Sequence, residues 1–256
     1  MDKIEVCVLN PEAVGTSEKM MVCAARLTQK GHKIKDLEDF IELYNKAYTE
    51  NTVAAMAKLP HPTIQKFGVI NVVIVGASRR FLAQITRHQN EVKFMSASLQ
   101  YSDYSGEADF VVPYKMLEMP ALVKRMYLHQ CKEAMDNYQA AIAQGVDNDS
   151  AGYMAPQGLR NILIISATPY QWKHMIGQRT CRRNTSETRY VLLRVWEKLY
   201  RLSPEMFAPS VTGPFCMKGR CMEGKMSCGN TLDPAMTPVK IIKEDFPLLA
   251  GGASDD

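Results

Sequence analysis

The 256-residue chain has no apolar run approaching the roughly 18 residues that a bilayer-spanning helix needs. Its opening, MDKIEVCVLN, carries an acid and lacks the long apolar core of a secretory signal, so the expected location is the cytoplasm, with no membrane partner. Charge of one sign is also scarce. A net charge of +4 provides no overall field calling for nucleic acid, and any basic role must be local. The usual phosphate cradles are missing, since neither GxGxxG nor GxxxxGKS/T occurs. There is no GxSxG nucleophile elbow. The five histidines lack the HExxH spacing of a zinc hydrolase; His32 reads as a surface turn residue and His129 as structural.

What is present is an ordinary globular composition, 46% hydrophobic and 23% charged. KIEVCVL reads as an opening strand ended by Pro11. DLEDFIELYNKAYTENTVAAMAKL places Leu37, Phe40, Ile41, Tyr44 and Ala47 on one stripe and reads as an amphipathic helix. NVVIVG (71–76) and NILIISA (161–167) are β-branched runs of buried-strand type. ASRRFLAQITRH reads as a helix with Phe81, Leu82 and Ile85 inward, and GEADFVVPY as extended up to Pro113. MPALVKRMYLHQCKEAMDNYQAAIAQG reads as a long helix stopped by Gly145. YQWKHMIGQR and SETRYVLLRVWEKLYRL read as helices flanking a polar knot, RTCRRNT. After Pro204, glycine, proline and cysteine dominate until Gly229, and the tail LAGGASDD reads as frayed. The expected fold class is α/β (α+β), a central mixed sheet with long flanking helices in one domain.

Residues 84–106, QITRHQNEVKFMSASLQYSDYSG, follow neither a helical nor a strand period and are crowded with donors. Two cationic stretches share a design of strand, helix and then arginines: NVVIVGASRRFLAQITRHQ and NILIISATPYQWKHMIGQRTCRR. Arginine presents a fixed fork of donors suited to phosphate, carboxylate or a nucleobase edge. A protein holding a nucleotide and a second phosphate-bearing cofactor needs two such clusters, although each arginine taken singly also fits a solvated helix face. Cys216, Cys221 and Cys228 lie among glycines, and Cys181 lies in the polar knot; such spacings suit a tetrahedral structural zinc or a loop of free thiols. Cys7, Cys23 and Cys131 sit on apolar elements and read as packing.

These segments resemble a known family. GASRRFLAQITRH looks like the GVSRxxxxQLxRHR segment of flavin-dependent thymidylate synthases. QRTCRRNTSETR is similar to that family's LRTCxRAQWEIR, SLQYS sits where its SxRYS follows, and HPT (61–63) resembles its HxS/T turn. The closing GPFCMKGRCMEGKMSCG resembles a cysteine-rich end found on some members. The resemblance implies a catalytic domain over residues 1–205, with 206–256 a cysteine-rich extension packed on it. It implies a homotetramer with active sites between subunits, binding FAD and methylating dUMP to dTMP with methylenetetrahydrofolate as carbon donor and NADPH as reductant. Arg179 occupies the position that polarises the pyrimidine. His61, Thr63, Arg87, His88, Gln89, His174 and Arg183 fall at flavin-side positions, and Gln84, Arg87, Ser98, Gln100 and Arg179 at nucleotide positions.

The departures fall on both sides of the site, and most heavily on the nucleotide phosphate. Gln89 replaces the last arginine of RHR, and His174 stands where the family has an asparagine. Gln100 and Gly152 replace two phosphate-binding arginines, and AQWE has become NTSE. Arg182, Arg183 and Lys93 are the nearest replacement cations in sequence, and Arg182 and Lys93 are the sharper test because Arg183 falls at a flavin-side position. A flavin-dependent methylation or hydroxymethylation of another pyrimidine nucleotide such as dCMP is the alternative reaction. A non-catalytic RNA- or protein-binding module is the alternative of another class.

Overall fold

Alternating burial along four strands builds the one sheet. Val6, Val72, Ile74, Leu163 and Ile165 point into the core, while Val75, Ile162, Ile164 and Met95 point outward and stay exposed. The strands are β1 (Glu5–Val8), β2 (Ile70–Ser78), β3 (Val92–Ser96) and β4 (Arg160–Ala167), in the order β1-β2-β4-β3. Every pair is antiparallel, so the sheet is not mixed and the α+β form of the expected class holds. This is a computed structural model, and it describes residues 1–252 apart from Asp2, Ser105, Arg220 and Met222.

Helices cover the inner face. Pro11 ends β1 but also begins α1 (Glu12–Lys30), a helix absent from the sequence reading. The helix expected over residues 36–59 is two, α2 (Leu37–Asn45) and α3 (Glu50–Ala57), because Thr49 and Thr52 form a capping box that restarts the chain. Next come α4 (Arg79–Ile85), the short α5 (Tyr114–Leu117), the long α6 (Ala121–Ala143) and the short α7 (Asn148–Ala151). The last three are α8 (Pro169–Arg179), α9 (Ser186–Leu202) and α10 (Pro238–Asp245). α9 is buried nearly all round, with Val191, Leu192, Leu193, Val195 and Trp196 fully enclosed.

Residues after 205 contribute Met206, Phe207, Met217, Ile241, Ile242 and Phe246 to the same core as β2, α8 and α9. The tail begins in order rather than frayed. Pro247–Gly252 is a 3-10 turn whose Leu249 is 7% exposed; residues 253–256 lie outside the described residues. Among the described residues, no helix is long and apolar enough to cross a membrane.

Candidate active site

Two sequence-distant turns meet where α4 and α8 end. α8 starts cleanly: the Thr168 hydroxyl accepts from Gln171 N, and Pro169 occupies the first turn. It finishes on Arg179, whose charge suits the negative end of the helix dipole. Ser78 caps α4 by accepting from Phe81 N, and directly past α4's end the chain turns at Thr86 and Arg87 to bury His88. There Arg179 Nε donates to His88 Nε2 at 2.7 Å. The imidazole is therefore an acceptor at Nε2, and burial, then the charge of Arg179, lower its pKa to about 4. Arg179 Nη1 also donates to Asn184 Oδ1 at 3.4 Å. Among the described residues no carboxylate pairs with Arg179, and burial together with the neighbouring Arg87 charge depresses its pKa.

The same region is braced from α9. Glu187 accepts from both the backbone N and the hydroxyl of Ser78, at 2.7 and 2.5 Å. Glu187 thus ties α9 to α4. Burial raises the Glu187 pKa, against the lowering by its Ser78 bonds. Arg182 reaches both Glu244 and Asp245 of α10, and Arg189 reaches Asp245 from the other side. With its side chain 11% exposed and this pairing in place, Arg182 is a structural clamp, not the spare phosphate cation expected from sequence. Lys93 is exposed on the sheet, paired in register with Ser166, and lines neither of the cavities that flank this turn.

Two cavities flank the turn. The first, about 380 Å³, is lined by Arg179, Arg183, Asn184 and all four of Cys181, Cys216, Cys221 and Cys228. All four thiols are free. Yet among the described residues no three His, Cys, Asp or Glu side chains are grouped to hold a metal. The second cavity, about 290 Å³, is lined by Pro60, Pro62, Gln65, Tyr170, Lys173, His174, Phe215 and Lys218. Phe215 lines both. Its ring lies on the backbone of Gly177, where an added Cβ would meet Cε1 at 2.6 Å, so glycine is required for this close approach. His88 stands edge-on to His174 at 6.0 Å between centroids, and His174 lies 6.4 Å from Phe215.

Of the other expected site residues, His61 and Thr63 are exposed at the turn whose prolines line the second cavity. Arg87 and Gln89 are exposed beside His88. Gln84 on α4 lines neither cavity, and nor do Ser98 and Gln100, which share a turn after β3. At Gly152 a Cβ would meet the Leu99 side chain at 3.2 Å, so Leu99 crowds the space of the missing arginine. The sequence reading missed Lys173 and Lys218, which look like solvated lysines, and Asp245, which lies 63 residues from Arg182.

The family described as thymidylate synthase complementing protein matches residues 12–205. The chain is 23% identical over 195 residues to a flavin-dependent thymidylate synthase of Geobacter sulfurreducens, covering 75% of this chain and 83% of that one. It is 26% identical over 175 residues to the enzyme of that name from Thermococcus onnurineus, covering 65% and 69%. In fold it is similar to thymidylate synthase X from Helicobacter pylori, solved with FAD and dUMP, at a TM-score of 0.61 and 15% identity over 81% of this chain and 99% of that one. It is similar also to the UMP/dUMP methylase PolB of Streptomyces cacaoi, solved with 5-Br dUMP, at 0.61 and 14% over 81% and 94%.

Proposed function

Because the chain belongs to the thymidylate synthase complementing protein family, the flavin-dependent thymidylate synthases, we propose that it methylates dUMP to dTMP with bound FAD, using methylenetetrahydrofolate and NADPH. The observation that carries this reading is the Arg179–His88 contact. It joins the two family-like segments and leaves a half-buried guanidinium with no carboxylate partner among the described residues.

When bound, the flavin supplies hydride. Everything else is asked of the chain. His88, neutral and accepting at Nε2, fixes the Arg179 plane from one edge, and Asn184 fixes it from another. The remaining N–H groups are left to stabilise negative charge developing on a pyrimidine carbonyl, where a preorganised donor costs no reorganisation. His174 and Phe215 line the second cavity together with Pro60 and Pro62 of the His61–Thr63 turn, and this is the side the flavin would take. The missing phosphate arginines at Gln100 and Gly152 leave the nucleotide open, and dCMP is the second candidate.

The homotetramer is part of the same reading. Val75, Ile162, Ile164 and Met95 form an exposed apolar face on the sheet, the kind of surface a second copy covers. Gln84, Ser98 and Gln100 line neither cavity of their own chain, which is what a site completed between subunits requires.

Purified protein assayed for methyl transfer with dUMP, UMP and dCMP side by side, with and without FAD, tests the proposal. Product from dUMP that depends on FAD supports it. Product from dCMP alone moves the assignment to that nucleotide, and no product from any defeats it.

A further inference from the structure

Cys181 and Cys216 come together because two turns are pinned side by side. Thr180 N donates to Ile176 O, so the last turn of α8 carries Cys181 about one helical turn beyond Gly177, on the same side. Against Gly177 lies the Phe215 ring, so close that an added Cβ would meet Cε1 at 2.6 Å. Cys216 is the next residue, packed on the core. Met217, 2% exposed, anchors it from the other side, and Met217 N donates to Pro214 O to close the turn. Both thiols are free, half-buried and on the lining of the first cavity. The other two cavity thiols are engaged elsewhere. Cys228 Sγ donates to Asn230 O at 3.4 Å, and Cys221 accepts from the Ser227 hydroxyl. Burial above all pushes the Cys181 thiol up, and the nearness of Glu223, Cys216 and Cys228 adds to it.

We propose that Cys181 and Cys216 are a redox-responsive pair, closing to a disulfide that draws two walls of the first cavity together. The oxidant is a low-molecular-weight disulfide of the glutathione class. The Cys216 thiolate attacks one of its sulfurs, and one reduced thiol leaves. Cys181, after losing its proton to water, attacks the Cys216 sulfur, and the second reduced thiol leaves. The two cysteines are oxidised by two electrons, and the small disulfide is reduced by the same two. Cys181 suits the second role, because a thiol of raised pKa is a poor first attacker and acts once an activated sulfur is beside it. A disulfide needs Cα atoms roughly 4.4–6.8 Å apart, a range within reach of two turns already in contact at Gly177 and Phe215. Cys181 follows Arg179 by two residues, so the bond also stiffens the turn that aims the guanidinium.

The test incubates the full chain with glutathione disulfide at graded ratios to glutathione, followed by non-reducing peptide mapping. The expected product is a peptide pair joined at Cys181 and Cys216, with no glutathione on either and reversed by dithiothreitol. It should form at an oxidised-to-reduced ratio about tenfold or more below that needed in urea, where the two turns no longer meet. Cys221→Ser and Cys228→Ser should leave it forming, while Cys181→Ser and Cys216→Ser should each abolish it. In oxidised wild type, amide hydrogen exchange should slow across residues 180–184 and 214–218, and in Cys216→Ser it should not change. Joining of another pair, glutathione retained at Cys221 alone, or an equal ratio in urea would overturn the proposal. So would a joined pair with unchanged exchange in both turns. The wild-type map stands whether or not a variant folds. No turnover is read, so failure here and failure of methylation are separable.

Discussion

Arg179 and His88, 91 residues apart in sequence, are joined by a 2.7 Å hydrogen bond from Nε to Nε2. The bond gives the imidazole a fixed tautomer and the guanidinium a fixed plane. Arg179→Ala should therefore reduce turnover roughly 10²–10³-fold while FAD binding, followed by flavin fluorescence, stays within a factor of a few. Near-normal turnover in a folded variant would remove Arg179 from the chemistry.

The same contact sets a pH dependence. His88 titrates at about 4 in the folded protein against an ordinary 6.5, so below 6.5 the unfolded chain takes up a proton that the native state refuses. Its contribution to stability is complete above 6.5 and is lost as pH falls toward 4. His88→Gln, which keeps an acceptor, should flatten that limb in urea midpoints measured from pH 7 to pH 4. Parallel curves for wild type and variant would contradict the assignment.

Asp245 neutralises two arginines at once. Asp245→Ala takes the carboxylate from Arg189 and leaves Arg182 with Glu244 alone; with those side chains 10% and 11% exposed, it should cost on the order of 3 kcal/mol by chemical denaturation. Arg182→Ala should likewise lower stability yet leave the KM for the nucleotide unchanged. A raised KM with unchanged stability would restore Arg182 to the phosphate site.

Glu187→Ala leaves the Ser78 N–H and hydroxyl without their acceptor and loosens α4 from α9. The expected cost is roughly 1–3 kcal/mol. Glu187→Gln, which preserves one acceptor oxygen, should cost less, and equal losses would show that charge rather than bonding matters.

Thiol chemistry should separate the seven cysteines. Cys221, its pKa lowered by the Ser227 hydroxyl, should alkylate ahead of Cys181, whose thiol is pushed up by burial. The buried Cys23 and Cys131 should react last. Peptide mass spectrometry after timed iodoacetamide exposure reads the order. Zinc held by the four cavity cysteines would instead shield all four together.

The strands β2 and β4 were plain in the sequence because β-branched runs closed by glycine or alanine leave few other readings. β3 was hidden because Met95 breaks the inside–outside code: it is apolar yet 72% exposed on the open face. α1 was lost to Pro11, which the sequence marks as a strand stop and the structure uses as a helix start. In the site, His88 and Arg179 were legible through the segments that carry them. Lys173 was not, since one lysine in a helix carries no sign that Gln65, 108 residues away, will meet it.

Phe215 is a party wall between two rooms. Its ring lines both the cavity beside Arg179 and the cavity beside Lys173, and it lies so close to Gly177 that even an added Cβ would collide with it. A ligand that moved the ring from one cavity would change the wall that a ligand in the other meets. Linkage then makes the effect reciprocal, so that the factor by which the first ligand changes the affinity of the second equals the factor by which the second changes that of the first.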